Sequence, residues 1–94
     1  MISERYVALG YAQIAAGTTA AGLTVPAGAT LALIKAETAD VRWRDDGTAP
    51  TATVGFPLGS SDPVFAYSGS LSAIQFIAQS GSPVLNVAFF RSVG

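Results

Sequence analysis

Asp40-Val41-Arg42-Trp43-Arg44-Asp45-Asp46-Gly47-Thr48-Ala49-Pro50-Thr51-Ala52-Thr53-Val54-Gly55-Phe56-Pro57-Leu58 is the stretch on which the fold turns. It holds the single tryptophan, while most of the chain around it is small, apolar or turn-forming. Val41 and Trp43 alternate with Arg42 and Arg44, the period-2 pattern of a strand with one buried and one wet face. Asp45, Asp46 and Gly47 end that pattern. Asp-Gly is a hairpin signal, but Pro50 has no N–H to give to a ladder, so the connection is expected to run from Asp45 to Pro50 and the return strand to start near Thr51. A wide loop, rather than a two-residue turn, then joins the two strands. In this reading Trp43 is a core anchor. Arg42 and Arg44 lay their stems along apolar surface and pair with Asp40, Asp45 or a partner's acids.

Working outward toward the N-terminus, Ala29 to Glu37 carries apolar groups on both faces, Leu31 and Leu33 on one and Ala32, Ile34 and Ala36 on the other. That suits an inner strand of a sandwich. Leu23 to Pro26 is expected as a short edge strand closed by the turn Pro-Ala-Gly, where Pro pre-sets φ and Gly can take φ > 0. Ala15 to Gly22 contains only Ala, Gly and Thr and is expected as a loop lying against a neighbour. Arg5 to Ile14 alternates loosely, with Tyr6, Ala8 and Ala12 on one face and Val7, Leu9 and Tyr11 on the other, and Gly10 marks a bulge or bend.

Toward the C-terminus, Thr51 to Leu58 is placed near an edge by Gly55 and Pro57. Pro63 to Tyr67 and Leu71 to Gln79 follow as strands, separated by Ser68-Gly69-Ser70. The last strand, Val84 to Arg91, turns Leu85, Val87 and Phe89 one way and Asn86, Ala88 and Phe90 the other. About seven to eight short strands at roughly 8–12-residue spacing predict an all-β protein, an antiparallel β-sandwich or jelly-roll-like domain, and not βαβ units.

The chain has 94 residues, so one domain (1-94) accounts for it, with residues 1-22 as a candidate N-terminal arm or assembly segment. Only 12% of residues are charged, against about 25% in ordinary soluble proteins, so the surface must be filled with Ser, Thr, Ala and Gly. The net charge is −1 and the five basic residues are scattered, which leaves no electrostatic footprint for nucleic acid or an anionic membrane. No run approaches the ~20 apolar residues of a membrane-spanning helix.

Catalytic chemistry finds little to work with. There is no histidine and no cysteine, so Ser-His and Cys-His pairs and thiolate metal sites are excluded, and a Ser-Lys arrangement through Lys35 is the one formal survivor. Glycoside hydrolysis would need two carboxylates across a cleft, and nothing marks a pair among Glu37, Asp40, Asp45, Asp46 and Asp62. Asp45-Asp46-Gly47 lacks the alternating oxygen ligands and distal Glu of a calcium loop, so turn capping is the better account of those acids. The expectation is a non-enzyme with no cofactor and no metal. An arginine over the indole of Trp43 would make a ligand platform, but alternation sends Arg and Trp to opposite faces. Phe65, Tyr67, Phe76 and Phe89 suit a core, while Tyr6, Tyr11, Arg42, Arg44 and Phe90 are candidate interface residues.

The run Val-Arg-Trp-Arg-Asp-Asp-Gly-Thr-Ala-Pro-Thr (41-51), with Gly55, the block Gly-Ser-Leu-Ser-Ala-Ile-Gln-Phe-Ile (69-77) and the terminal Leu-Asn-Val-Ala-Phe-Phe-Arg (85-91), resembles small virion-associated proteins of tailed bacteriophages. Leu-Thr-Val-Pro-Ala-Gly-Ala (23-29) and Ala-Leu-Ile-Lys-Ala-Glu (32-37) share the pattern. The likeness covers most of the chain beyond Leu23. It implies a β-rich structural subunit located in the virion after synthesis in the host cytoplasm, a capsid decoration protein or a head or tail accessory subunit. Its partners would be copies of itself and a major capsid or tail protein, and no catalytic residue carries over. A weakly charged surface suits the large dry contacts of such an assembly. The competing expectation is a small carbohydrate- or host-surface-binding β-module that uses Trp43 or another exposed aromatic.

Overall fold

The computed structural model describes residues 5–93; the first four residues of the expected N-terminal segment lie outside it. Eight strands follow one another: β1 (Tyr6–Ala15), β2 (Ala21–Gly22), β3 (Leu31–Glu37), β4 (Val41–Arg44), β5 (Phe56–Leu58), β6 (Phe65–Tyr67), β7 (Gln75–Ala78) and β8 (Val84–Ser92). All pairings are antiparallel, and β1 pairs with β8, β2 with β7, β3 with β6 and β4 with β5. The chain is therefore one long two-stranded ribbon, folded back on itself at the β4–β5 connection. Rolling that ribbon brings β3 against β8 and β4 against β7. Two four-stranded sheets result, β1-β8-β3-β6 (sheet A) and β2-β7-β4-β5 (sheet B). This is the winding of a jelly roll. The stretch Asp40 to Leu58 is the tip of the ribbon.

The core lies between the sheets and is built by alternation. From sheet A come Ala32, Ile34 and Ala36 of β3 and Leu85, Val87 and Phe89 of β8, all buried. From sheet B come Val41, Leu58 and Phe76, with Leu71 and Ile74 from the turn before β7. Each large aliphatic or aromatic side chain enclosed in this way contributes about 1.5–3 kcal/mol of transfer free energy.

Four local features differ from the sequence expectation, each for a physical reason. In β1 the register to β8 slips between Ala8 and Gly10, so Leu9 is the extra residue of a bulge. The slip exchanges the faces beyond it: Ala12 and Ile14 point inward with Val87 and Leu85, while Tyr11 and Gln13 point outward. Residues 6–15 are thus a full strand of sheet A and not an arm.

The return strand of the ribbon tip starts at Phe56 and not near Thr51. Thr51 Oγ1 accepts from the N–H groups of Thr53 and Val54, and Thr51 and Val54 exchange backbone bonds at 2.8 and 3.3 Å. Such local bonds compete with a ladder. Gly55, at φ 142°, then turns the chain into β5.

Leu23 to Pro26 is not a strand, because Leu23 and Val25 are drawn against the core. The short edge strand is Ala21–Gly22 instead, inside the segment expected as a loop. Pro26 to Ala29 does form the expected turn, with Gly28 at φ 87° and the Ala29 N–H bonded to the Pro26 carbonyl at 3.2 Å. Finally, β7 begins at Gln75 because Ala73 and Ile74 both donate to the Ser70 carbonyl in a single helical turn.

Candidate functional site

The two outer faces of the sandwich are finished differently. On sheet B the outward positions are Arg42 and Arg44 of β4, Pro57 of β5 and Gln75 and Ile77 of β7. Ile77 stands opposite Arg42 on this face, yet it is only 8% exposed. The long loop of the ribbon tip lies on this face beside Arg42. Arg42 fixes that loop, donating from Nε to the Ala52 carbonyl at 3.1 Å and from Nη1 to the Gly55 carbonyl at 2.8 Å. Pro50 is buried in the same place, and Gly55 sits against the Arg42 stem and Pro50.

Sheet A has no such cover among the described residues. Its outward positions form rows across the strands: Ala8, Phe90 and Leu31, then Tyr11, Ala88, Leu33 and Ala66. Tyr11 is 64% exposed, and Leu31, Leu33, Ala88 and Phe90 are half-buried. At one end lies a shallow depression lined by Tyr6, Thr30, Leu31, Ser68 and Ser92. At the other end the next row is polar and satisfied within itself. The Tyr11 hydroxyl donates to Asn86 Oδ1, and Asn86 Nδ2 donates to Glu37 Oε1 at 2.8 Å. Gln13 Nε2 reaches both acceptors, and Lys35 Nζ turns to the Ser60 and Ala36 carbonyls. The result is an apolar, nearly uncharged sheet face with one hydrogen-bonded border.

A second cluster sits where β4 meets the opposite side of the sandwich. Trp43 packs against Phe56, Phe65 and Tyr67 with ring centroids 5.0, 5.2 and 5.9 Å away. Phe56 is 64% exposed and Trp43 is half-buried at the rim of the core. The indole is an anchor at the margin, wetter than a core position. Behind it the Tyr67 hydroxyl donates to Asp45 Oδ2 at 2.7 Å. Burial first, and the Asp45 carboxylate second, push the Tyr67 phenol up to about 12.

The acids of the ribbon tip are occupied with local structure. Arg44 pairs with Asp46, which raises the guanidinium and lowers the carboxyl from their ordinary values, chiefly through their hydrogen bonds. Asp46 also caps the Thr48 N–H, as turn chemistry expects. Asp40 accepts from the Ser60 N–H and Asp62 from the Gly59 N–H. The expected pairing of the arginines with Asp40 and Asp45 is therefore replaced by Arg44–Asp46 and by backbone carbonyls. Among the described residues no group of three or more His, Cys, Asp or Glu side chains could hold a metal ion, and no helix is long and apolar enough to cross a membrane.

No family model, no curated protein and no solved structure matches the chain. The site stands on its geometry. Of the five candidate interface residues, Tyr6, Tyr11 and Phe90 belong to the strands of sheet A, Tyr11 and Phe90 on its bare face, while Arg42 and Arg44 lie on sheet B and are engaged within the chain. Leu31, Leu33, Ala66 and Ala88 complete the bare face and were not singled out in the sequence. Their signal was there: apolar residues at both parities of β3 and β8 leave one set without a core to enter. Phe56, Val54 and Val64, all exposed, carried no signal beyond their hydrophobicity.

Proposed function

We propose that this chain is a structural subunit of a tailed-phage particle, working by non-covalent packing against copies of itself and against a major capsid or tail protein. It would decorate or stabilise the capsid or form part of a head or tail accessory, in the virion after synthesis in the host cytoplasm. The observation that carries the reading is the contrast between the two outer faces. Sheet B is roofed by its own loop, whereas sheet A presents Tyr11, Leu31, Leu33, Ala88 and Phe90 to solvent. A contiguous apolar face of this kind marks a surface that another protein covers. The reading has no catalytic step and requires no cofactor. The test is to purify particles from the source culture on a density gradient and quantify the chain by mass spectrometry. A fixed, many-copy ratio to the major particle protein is expected, and recovery only in the free soluble fraction overturns the reading.

The jelly roll also hosts sugar-binding proteins, so the fold alone does not decide between a subunit and a carbohydrate- or host-surface-binding module. The exposed Phe56 beside the half-buried Trp43 favours that second reading. Against it, Phe56 and Phe65 already pack against the indole, leaving it little free face for a sugar ring. Titration with a panel of oligosaccharides, read by tryptophan emission, separates the two.

A further inference from the structure

Strand β1 is the outermost strand of sheet A and runs for ten residues. The other edge strands are blunt: β2 has two residues, β5 has three with Pro57 in the middle, and β6 has three. Tyr6 to Ala15 contains no proline and no charged residue, two of the devices that keep a long edge from pairing, and a third, the bulge at Leu9, lies outside the regular stretch Gly10 to Ala15. Among the described residues, the backbone groups of Val7 to Ala15 on the side away from β8 have no hydrogen-bond partner. The 23–29 segment passes on the inner side, with Pro26 nearest the inward position of Gly10, and does not occupy the edge.

We propose that β1 pairs antiparallel with β1 of a second copy about a two-fold axis through Ala12, joining two A sheets into one eight-stranded sheet. This deepens the structural-subunit reading and rests on it for its biological setting. The register follows from the side chains. Pairing about an axis perpendicular to the sheet must match inward with inward positions. Centring on Ala12 sets Gly10 against Ile14 and Tyr11 against Gln13, the smallest residue opposite a large one on the inner face and an amide beside the phenol on the outer. A second copy fits better than a foreign strand because the contact is self-complementary: each Ile14 meets the other copy's Gly10 in the isologous manner of two-fold dimers. No like charges are brought together. The paired sheets would also present both bare faces on the same side, continuous across the axis.

The absence of cysteine makes the test clean. Light scattering on the full chain is expected to give a dimer, with β1 amides exchanging more slowly as concentration rises. Ala12→Cys is expected to form a disulfide dimer on mild oxidation about tenfold faster or more than Thr48→Cys in the remote loop, since pairing raises the local thiol concentration. Tyr11→Lys combined with Gln13→Lys, which sets ammonium groups against each other across the axis on the exposed outer face, is expected to be monomeric with unchanged far-UV circular dichroism. A wild-type monomer, concentration-independent β1 exchange, or equal cross-linking of the two cysteine variants overturns the pairing. These readings need only the isolated protein. A dimer that is missing from gradient-purified particles supports the pairing and removes the virion reading, and a monomer found in particles does the reverse.

Discussion

The Tyr67 hydroxyl donates to Asp45 Oδ2 at 2.7 Å, tying β6 of sheet A to the loop that leaves β4 of sheet B. The bond has a pH signature. Because the folded phenol is raised to about 12 from an ordinary 10.0, the fold prefers its neutral form. That preference stabilises fully below the unfolded value and is lost as pH climbs through the folded one. Chemical denaturation is expected to show stability falling by on the order of 2 kcal/mol between about pH 10 and pH 12. Tyr67→Phe should be less stable at pH 8 and should show a much shallower alkaline decline. An equally steep decline in the variant would move the effect elsewhere.

Gly69 has no room for a side chain. A Cβ built there would lie 2.6 Å from the Tyr67 hydroxyl oxygen and 2.7 Å from ring carbon Cζ. The ring cannot yield cheaply, since it packs on Trp43 and Phe65 and its hydroxyl is held by Asp45. Gly69→Ala is expected to cost about 1–3 kcal/mol, the usual range for overpacking. Gly17→Ala, where nothing lies within 4 Å, is the matched control and should be nearly neutral by thermal melting.

Trp43 sits at the rim of the core, so its deletion should be felt less than that of an enclosed aromatic. Trp43→Ala is expected to cost about 2–3 kcal/mol, below the ~3–5 kcal/mol range for fully buried aromatics. Its emission in the wild type should be partly accessible to acrylamide. Ile34→Ala, at 0% exposure, should cost as much or more, about 2–5 kcal/mol. A Trp43→Ala effect under about 1 kcal/mol would mean that the aromatic cluster stabilises nothing beyond its own side chains.

Much of this was legible in the sequence because a strand with one wet face writes its parity directly. The alternation of Val41 and Trp43 with Arg42 and Arg44, and of Leu85, Val87 and Phe89 with Asn86, Ala88 and Phe90, gives the inward sets as observed. What escaped was decided by competition between nearby groups. At Gly10 the bulge was readable, but its consequence, a reversal of parity for Tyr11 to Ala15, needs the register to β8. At Thr51 the side chain outbids the ladder, which shortened the return strand. Alternation sets Ile77 with Gln75 against Ile74, Phe76 and Ala78, as the register to β4 has it, but it does not show that an outward side chain there is buried. The bare face of sheet A was visible as excess apolar residues in β3 and β8, but which set faced the core could not be assigned until the strands were paired.

The roof over sheet B depends on Arg42. Its guanidinium donates to two carbonyls of the loop, Ala52 and Gly55, and Pro50 of the same loop is buried. Lysine cannot reproduce a planar two-donor fork, so Arg42→Lys should recover only part of what Arg42→Ala loses, with the alanine variant destabilised by about 1–3 kcal/mol for two charge-assisted bonds. The loss should be local before it is global. Amide exchange across 50–56 and limited proteolysis in the loop should accelerate in both variants, while β3 and β8 at the centre of sheet A keep their protection. With the roof loosened, Pro50 would be uncovered and the variant should bind more of an environment-sensitive apolar dye than the wild type. Unchanged exchange in the loop of Arg42→Ala would show that Pro50 packing, and not the arginine, holds the roof in place.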